Sequence, residues 1–184
     1  MNKRLWLSLW GACALLMLLI AVKSRNLRRQ SQEYTQELTV FHAEQLSVLF
    51  SELSESFMFE FPDITVYTES VSDPGFAQKL HKNQGVCDIF GSTDQQIIKD
   101  LLVRGLVEFN IRFAACNKHM DDTQQEIVCS VCMPKNAGHR HALQAWLRYL
   151  FSEDGRAILK KNDFVCLSPL VIDGNAPDFL KNSK

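Results

Sequence analysis

The run from Leu38 to Ser70, LTVFHAEQLSVLFSELSESFMFEFPDITVYTES, decides the reading of the fold. Leu38-Thr39-Val40-Phe41-His42 is short and β-rich, which suits a first strand. Leu46, Leu49, Phe50, Leu53 and Phe57 then recur at intervals of three and four, the spacing of one helical face. Pro62 ends that helix. Ile64, Val66 and Thr68 alternate with Thr65, Tyr67 and Glu69, as in a second strand.

The pattern continues downstream. Ser72-Asp73-Pro74-Gly75 opens a helix, with Asp73 expected at the N-cap and Pro74 at the first helical position. That helix runs through Phe76, Leu80 and His81 and closes at Gly85. Val86–Phe90 reads as a third strand. Ser92-Thr93-Asp94 supplies caps for a helix carrying Ile97, Ile98, Leu101 and Leu102 on one face, which Gly105 terminates. Asn110–Ala115 reads as a strand, polar Cys116–Glu126 as a loop, and Ile127–Met133 as a strand stopped by Pro134. Helices follow from about His139 to Phe151 and from Ser152 towards Asn162. The tail with Pro169, Gly174 and Pro177 reads as irregular. Strands alternating with helices predict an α/β domain, a mostly parallel twisted sheet with helices on both faces.

Upstream, Leu5–Val22 is uncharged, LWLSLWGACALLMLLIAV. A run of about 18 apolar residues is long enough to cross a bilayer as a helix. No small-x-small cleavage site follows, so residues 1–25 are expected to be an uncleaved signal anchor, with a cleaved signal peptide as the alternative. Gly11-Ala12-Cys13 hints at a lipoprotein site, but Trp10 and the continuing apolar run argue against it. Residues 26–37 read as a juxtamembrane linker and 38–184 as the globular domain. Lys23, Arg25, Arg28 and Arg29 outnumber Lys3 and Arg4, which by the positive-inside rule favours a cytoplasmic domain.

The chain has 184 residues and a net charge of −1, with 20 basic and 21 acidic side chains. That balance leaves no electrostatic footprint for nucleic acid. Of the six cysteines, five lie beyond the apolar run, an odd set unlike a disulfide framework. Cys129-Ser130-Val131-Cys132 matches the C-x-x-C pattern of redox enzymes. Inside an apolar strand, however, alternation sends the two sulfurs to opposite faces. Cys116, His119, Cys129, Cys132, His139 and His141 show no zinc-site spacing. No nucleophile–base pair, cofactor motif or metal motif stands out, so neither an enzyme nor a bound cofactor is expected.

The segment from Leu38 to Ser70 resembles the first strand, helix and second strand of tungstate/molybdate-binding proteins of ABC transporters, whose first strand typically ends in His-Ala-Gly-Ser-Leu. Cys87-Asp88-Ile89-Phe90-Gly91-Ser92-Thr93-Asp94 is similar to that family's Ala-Asp-Val-Phe-Ala-Ser-Ala-Asp, and Asn110-Ile111-Arg112-Phe113-Ala114 continues the likeness. Val131-Cys132-Met133-Pro134-Lys135-Asn136-Ala137 and Phe151-Ser152-Glu153-Asp154-Gly155-Arg156 resemble its C-terminal portion. The resemblance implies a periplasmic-binding-protein-like lobe on the outer face of the cytoplasmic membrane, against the flanking charges. It also implies an ABC permease or a full-length binding protein as partner and a small oxyanion as ligand.

The family has two lobes with the oxyanion between them, and the second would be inserted near Met120, where only the short Cys116–Glu126 segment stands. The chain therefore reads as the first lobe alone. The family's Gly-Ser after His-Ala is Glu44-Gln45 here, and its second Ser position falls near Asp73, beside Ser72. The remnant oxyanion site would comprise His42, Glu44, Gln45, Ser72, Asp73 and Ser92. The carboxylates of Glu44 and Asp73 would oppose an anion there. The leading expectation is a solute-binding-protein-like module with weakened or lost ligand binding. One alternative is a homodimer that rebuilds the cleft for an oxyanion or cation. The other is a cysteine-based redox or metal protein.

Overall fold

The structure, a computed structural model, describes residues 36–82, 87–120 and 123–181, and within these the side chains of all but 117–120 and 123–125. The expected anchor over Leu5–Val22 and the expected helix end at Gly85 lie outside the described residues. Among the described residues no helix is long and apolar enough to cross a membrane.

Strand β1 (Gln36–His42) leads through a 3-10 turn (Glu44–Leu46) into α1 (Ser47–Glu60), and β2 (Ile64–Ser70) follows. Next come α2 (Asp73–His81), β3 (Ile89–Ser92), α3 (Gln95–Val103), β4 (Val107–Met120) and β5 (Thr123–Pro134). The chain closes with α4 (Arg140–Leu150), α5 (Glu153–Lys161), β6 (Val165–Gly174) and the short α6 (Asp178–Lys181). Strands pair in the order β2-β1-β3-β5-β4-β6. β1 lies parallel to both β2 and β3. β5 runs antiparallel to β3 and β4, and β6 antiparallel to β4.

The sheet is therefore mixed, not mostly parallel. The expected loop at 116–126 is the cause. Its residues extend β4 and β5 into a long hairpin whose ladder runs from Val107↔Pro134 to Met120↔Thr123. An antiparallel hairpin needs no crossover helix, so the strand–helix alternation that imposes parallel pairing stops here. The tail is also corrected, because Val165–Gly174 is an edge strand on β4 rather than irregular chain. Its register jumps between Arg112↔Val171 and Ala114↔Cys166, so Pro169, which follows a cis bond, sits in the unpaired bulge.

Helices cover both faces, as expected. Leu38, Val40, Ile89, Ile111 and Val131 point to one side, against Phe50, Leu53 and Phe57 of α1, Trp146 and Leu147 of α4 and Leu159 of α5. Phe41, Phe90 and Cys132 point to the other, against Phe76 of α2 and Ile98 and Leu101 of α3. Each fully buried Leu or Phe stabilises the fold by about 1.5–3 kcal/mol. Helix starts follow the sequence, with Asp94 capping α3 and Ser152 capping α5 through side-chain oxygens. Gly105, at φ +67°, ends α3 in a conformation a side chain would resist.

Gly91 serves close packing: a Cβ there would stand 2.3 Å from Phe50 Cζ. Asp88, 3% exposed, is the polar pin of the core. Its carboxylate accepts from the backbone N–H groups of Thr39 (2.9 Å), Gly138 (3.0 Å) and His139 (3.0 Å), and lies 3.1 Å from His139 Nδ1. One side chain thereby ties β1 to the turn that launches α4.

Candidate functional site

The three parallel strands end together, so the turns after them form one edge. His42 lies opposite Ser70 of β2 and Gly91 of β3. Val71 N–H donates to His42 O at 2.9 Å, and Ala43 N–H donates to Gly91 O at 2.8 Å, locking the turns side by side. In open α/β sheets this carboxyl edge is where ligands bind.

Ser72, Asp73 and Ser92 meet at this edge. Ser72, not Asp73, is the N-cap of α2, since its Oγ accepts from Gly75 N–H at 3.3 Å. Asp73 is shifted one residue into the helix, leaving its carboxylate to reach across and accept the Ser92 hydroxyl. Ser92 is fully buried, and its Oγ also accepts from Asp94 N–H at 3.0 Å. Burial pushes the Asp73 carboxyl above the ordinary carboxylate range. The nearby Asp94 carboxylate adds to this, and the Ser92 hydrogen bond opposes it.

The remaining candidates are arranged differently. His42 is buried, with Nδ1 3.1 Å from Ala43 O and its ring 5.5 Å from that of Phe50. It is a packed element of the floor. Glu44 and Gln45 are exposed on the 3-10 turn. The neighbouring carboxylate that acts on Asp73 is that of Asp94. Gln45 and Thr93 join Leu46, Cys116, Ile127 and Phe164 around a groove of about 410 Å³ beside this edge. The start of α1 has no side-chain cap, unlike α2 and α3. Helix starts attract anions through orphan N–H groups and the dipole.

Sequence reasoning passed over Asp88 and used Asp94 only as a cap. The signal for Asp88 was a lone carboxylate between Cys87 and Ile89, in a segment otherwise destined for the core.

The cysteines are arranged for packing. Cys129 belongs to the core face under α1 and α4, and Cys132 to the opposite face under α2 and α3, as alternation required. Burial pushes the Cys129 thiol up to about 12 and the Cys132 thiol well above its ordinary range. Among the described residues no three His, Cys, Asp or Glu side chains converge as metal ligands. His139 and His141 have separate partners, Asp88 and Gln36.

The fold is similar to that of solved structures. A substrate-binding domain assigned to a molybdenum ABC transporter of Clostridium difficile superposes with a TM-score of 0.58 at 11% identity, covering 72% of this chain and 99% of that one. The periplasmic molybdate-binding protein of Azotobacter vinelandii gives 0.57 at 10% identity, covering 70% and 98%. The chain thus shares its fold with these two proteins. In sequence, an uncharacterized solute-binding protein of Petrotoga mobilis is 30% identical over 84 residues, which is 46% of this chain. The match spans 26% of that relative's own length. No family model matches the chain.

Proposed function

We propose that this chain is a single-lobe solute-binding module of transport type, with oxyanion binding weakened by its own side chains. The reading rests on the contact between Asp73 and Ser92. A hydroxyl at a carboxyl edge beside helix starts is a ready donor to an anion, but the Ser92 hydroxyl is already given to a carboxylate. An oxyanion entering there must displace Asp73 and then sit beside its charge and that of Asp94.

The module is tethered to the cytoplasmic membrane through Leu5–Val22 with its lobe on the outer face. It works by docking on an ABC permease or on a full-length binding protein. The solved relatives named above support the transport class through their fold. Titration of the full chain with tungstate, molybdate and sulfate tests the binding half. Calorimetric silence from folded protein is expected, and submicromolar affinity for any of the three would overturn it. Crosslinking in native membranes tests the docking half, which fails if no transporter subunit is recovered. Protease added to intact cells stripped of their outer layers tests the orientation, and a lobe that resists digestion until lysis would place it inside.

A further inference from the structure

The group that blocks the carboxyl edge is itself titratable. Asp73 stands in the first turn of α2, and the turn entering that helix is bonded to the end of β1 through Val71 N–H and His42 O at 2.9 Å. Its Oδ1 accepts the hydroxyl of Ser92, whose Oγ is fixed in turn by Asp94 N–H at 3.0 Å. Ser92 is fully buried and Asp73 half-buried, so Asp73 is the solvent-side partner of a closed-off hydroxyl.

Two carboxyl groups stand near each other here, and their surroundings differ. Asp94 Oδ1 accepts from Gln96 N–H and Ile97 N–H, both at 3.0 Å, and such bonds favour the ionised form. Asp73 has burial and the Asp94 charge against its ionised form, with the Ser92 bond on the other side. A proton reaching this pair therefore settles on Asp73. The surrounding elements carry other titratable groups. The Cys132 thiol of β5 feels the Asp73 charge and is pushed well above its ordinary range, chiefly by burial. His42, at the end of β1, is buried with Nδ1 3.1 Å from Ala43 O. Lys79, farther along α2, pairs with Glu69 of β2 at 3.1 Å and lies over the Phe41 ring.

We propose that the carboxyl edge takes up a tetrahedral oxyanion together with one proton, which Asp73 carries. This rests on the weakened-binding reading above and gives it a condition. At neutral pH the Asp73 carboxylate repels an anion. On gaining a proton from solvent it becomes an uncharged hydroxyl donor. Ser92 goes on donating to Oδ1 of the acid, so the proton lies on Oδ2. The anion accepts that O–H, and hydrogen bonds with one ionised partner are the strong ones. The side chain that closes the site at neutral pH thus opens it in acid.

The test is calorimetric titration of the full chain with sodium sulfate, a dianion throughout, at pH 7.5, 6.5 and 5.5 and constant ionic strength. Two buffers of different ionisation enthalpy at each pH read the protons taken up, and circular dichroism checks the fold. Sulfate affinity is expected to rise about tenfold for each unit of pH lost while the pH exceeds the Asp73 pKa, since only the protonated fraction binds. Uptake should approach one proton per sulfate. Asp73→Asn sets a neutral donor in the same place. It should bind sulfate at pH 7.5 at least about tenfold more tightly than the wild type, with no pH dependence and no proton uptake. Silence of both folded chains at every pH would overturn the proton gate and leave the weakened-binding reading standing. An Asp73→Asn variant that still follows pH would also overturn the gate. Submicromolar sulfate binding by the wild type at pH 7.5 without proton uptake would overturn both.

Discussion

The Ser92 hydroxyl donates to the Asp73 carboxylate, joining the end of β3 to the first turn of α2 across 19 residues of sequence. The bond uses a donor that an oxyanion would otherwise take. Asp73→Ser removes the competing acceptor and its charge and leaves Ser92 Oγ free to donate. The variant should bind molybdate or tungstate at least about tenfold more tightly than the wild-type chain in calorimetric titration. Unchanged affinity would mean that Asp73 is not what blocks the edge.

The same carboxyl has a pH signature. Burial raises its folded-state pKa above the ordinary 3.8, so the folded protein holds this proton more tightly than the unfolded chain does. The ionised group therefore weighs against folding above the folded pKa, and the penalty fades as pH falls through that value towards 3.8. Asp73→Asn should raise Tm at pH 7 and lose that advantage near pH 4. A Tm difference independent of pH would remove the assignment.

Asp88, itself buried, supports folding by accepting from three backbone amides. Asp88→Ala removes all three bonds and should cost about 2–3 kcal/mol in urea unfolding. Asp88→Asn, which keeps an acceptor, should cost less. Equal losses would show that charge rather than acceptor geometry holds the turn before α4.

Gly91 is fixed by Phe50. With a Cβ 2.3 Å from the ring, Gly91→Ala forces the aromatic out of its place and should cost about 1–3 kcal/mol. Adding Phe50→Leu should return part of that loss, which a double-mutant cycle in chemical denaturation measures. Strict additivity would contradict the packing account.

Thiol chemistry separates a packed C-x-x-C from a reactive one. With Cys129 pushed up to about 12 by burial, neither it nor Cys132 should alkylate at pH 8 in the folded chain, and both should do so in denaturant. Peptide mapping after iodoacetamide treatment reads this directly.

The α/β unit from Leu38 to Ser70 was legible because apolar spacing reports burial, and burial is what β1, α1 and β2 share. Caps at Asp94 and Ser152 were legible because capping is local. The hairpin extension was not, since Lys118 and Gln125 are polar and their pairing comes from the partner strand rather than from propensity. β6 escaped for the same reason, as an exposed edge strand broken by Pro169. At the site, the resemblance supplied His42, Ser72, Asp73 and Ser92, and the last three meet at the ends of the parallel strands because topology brings those turns together. The swap of cap and acceptor between Ser72 and Asp73 turns on a one-residue offset that composition cannot encode.

The pairing of Met120 with Thr123 gives the molecule a natural splice point. Among the described residues the two longest strands, β4 and β5, reach it side by side. Any folded body whose own ends lie close together could be grafted there without changing the strand order beneath.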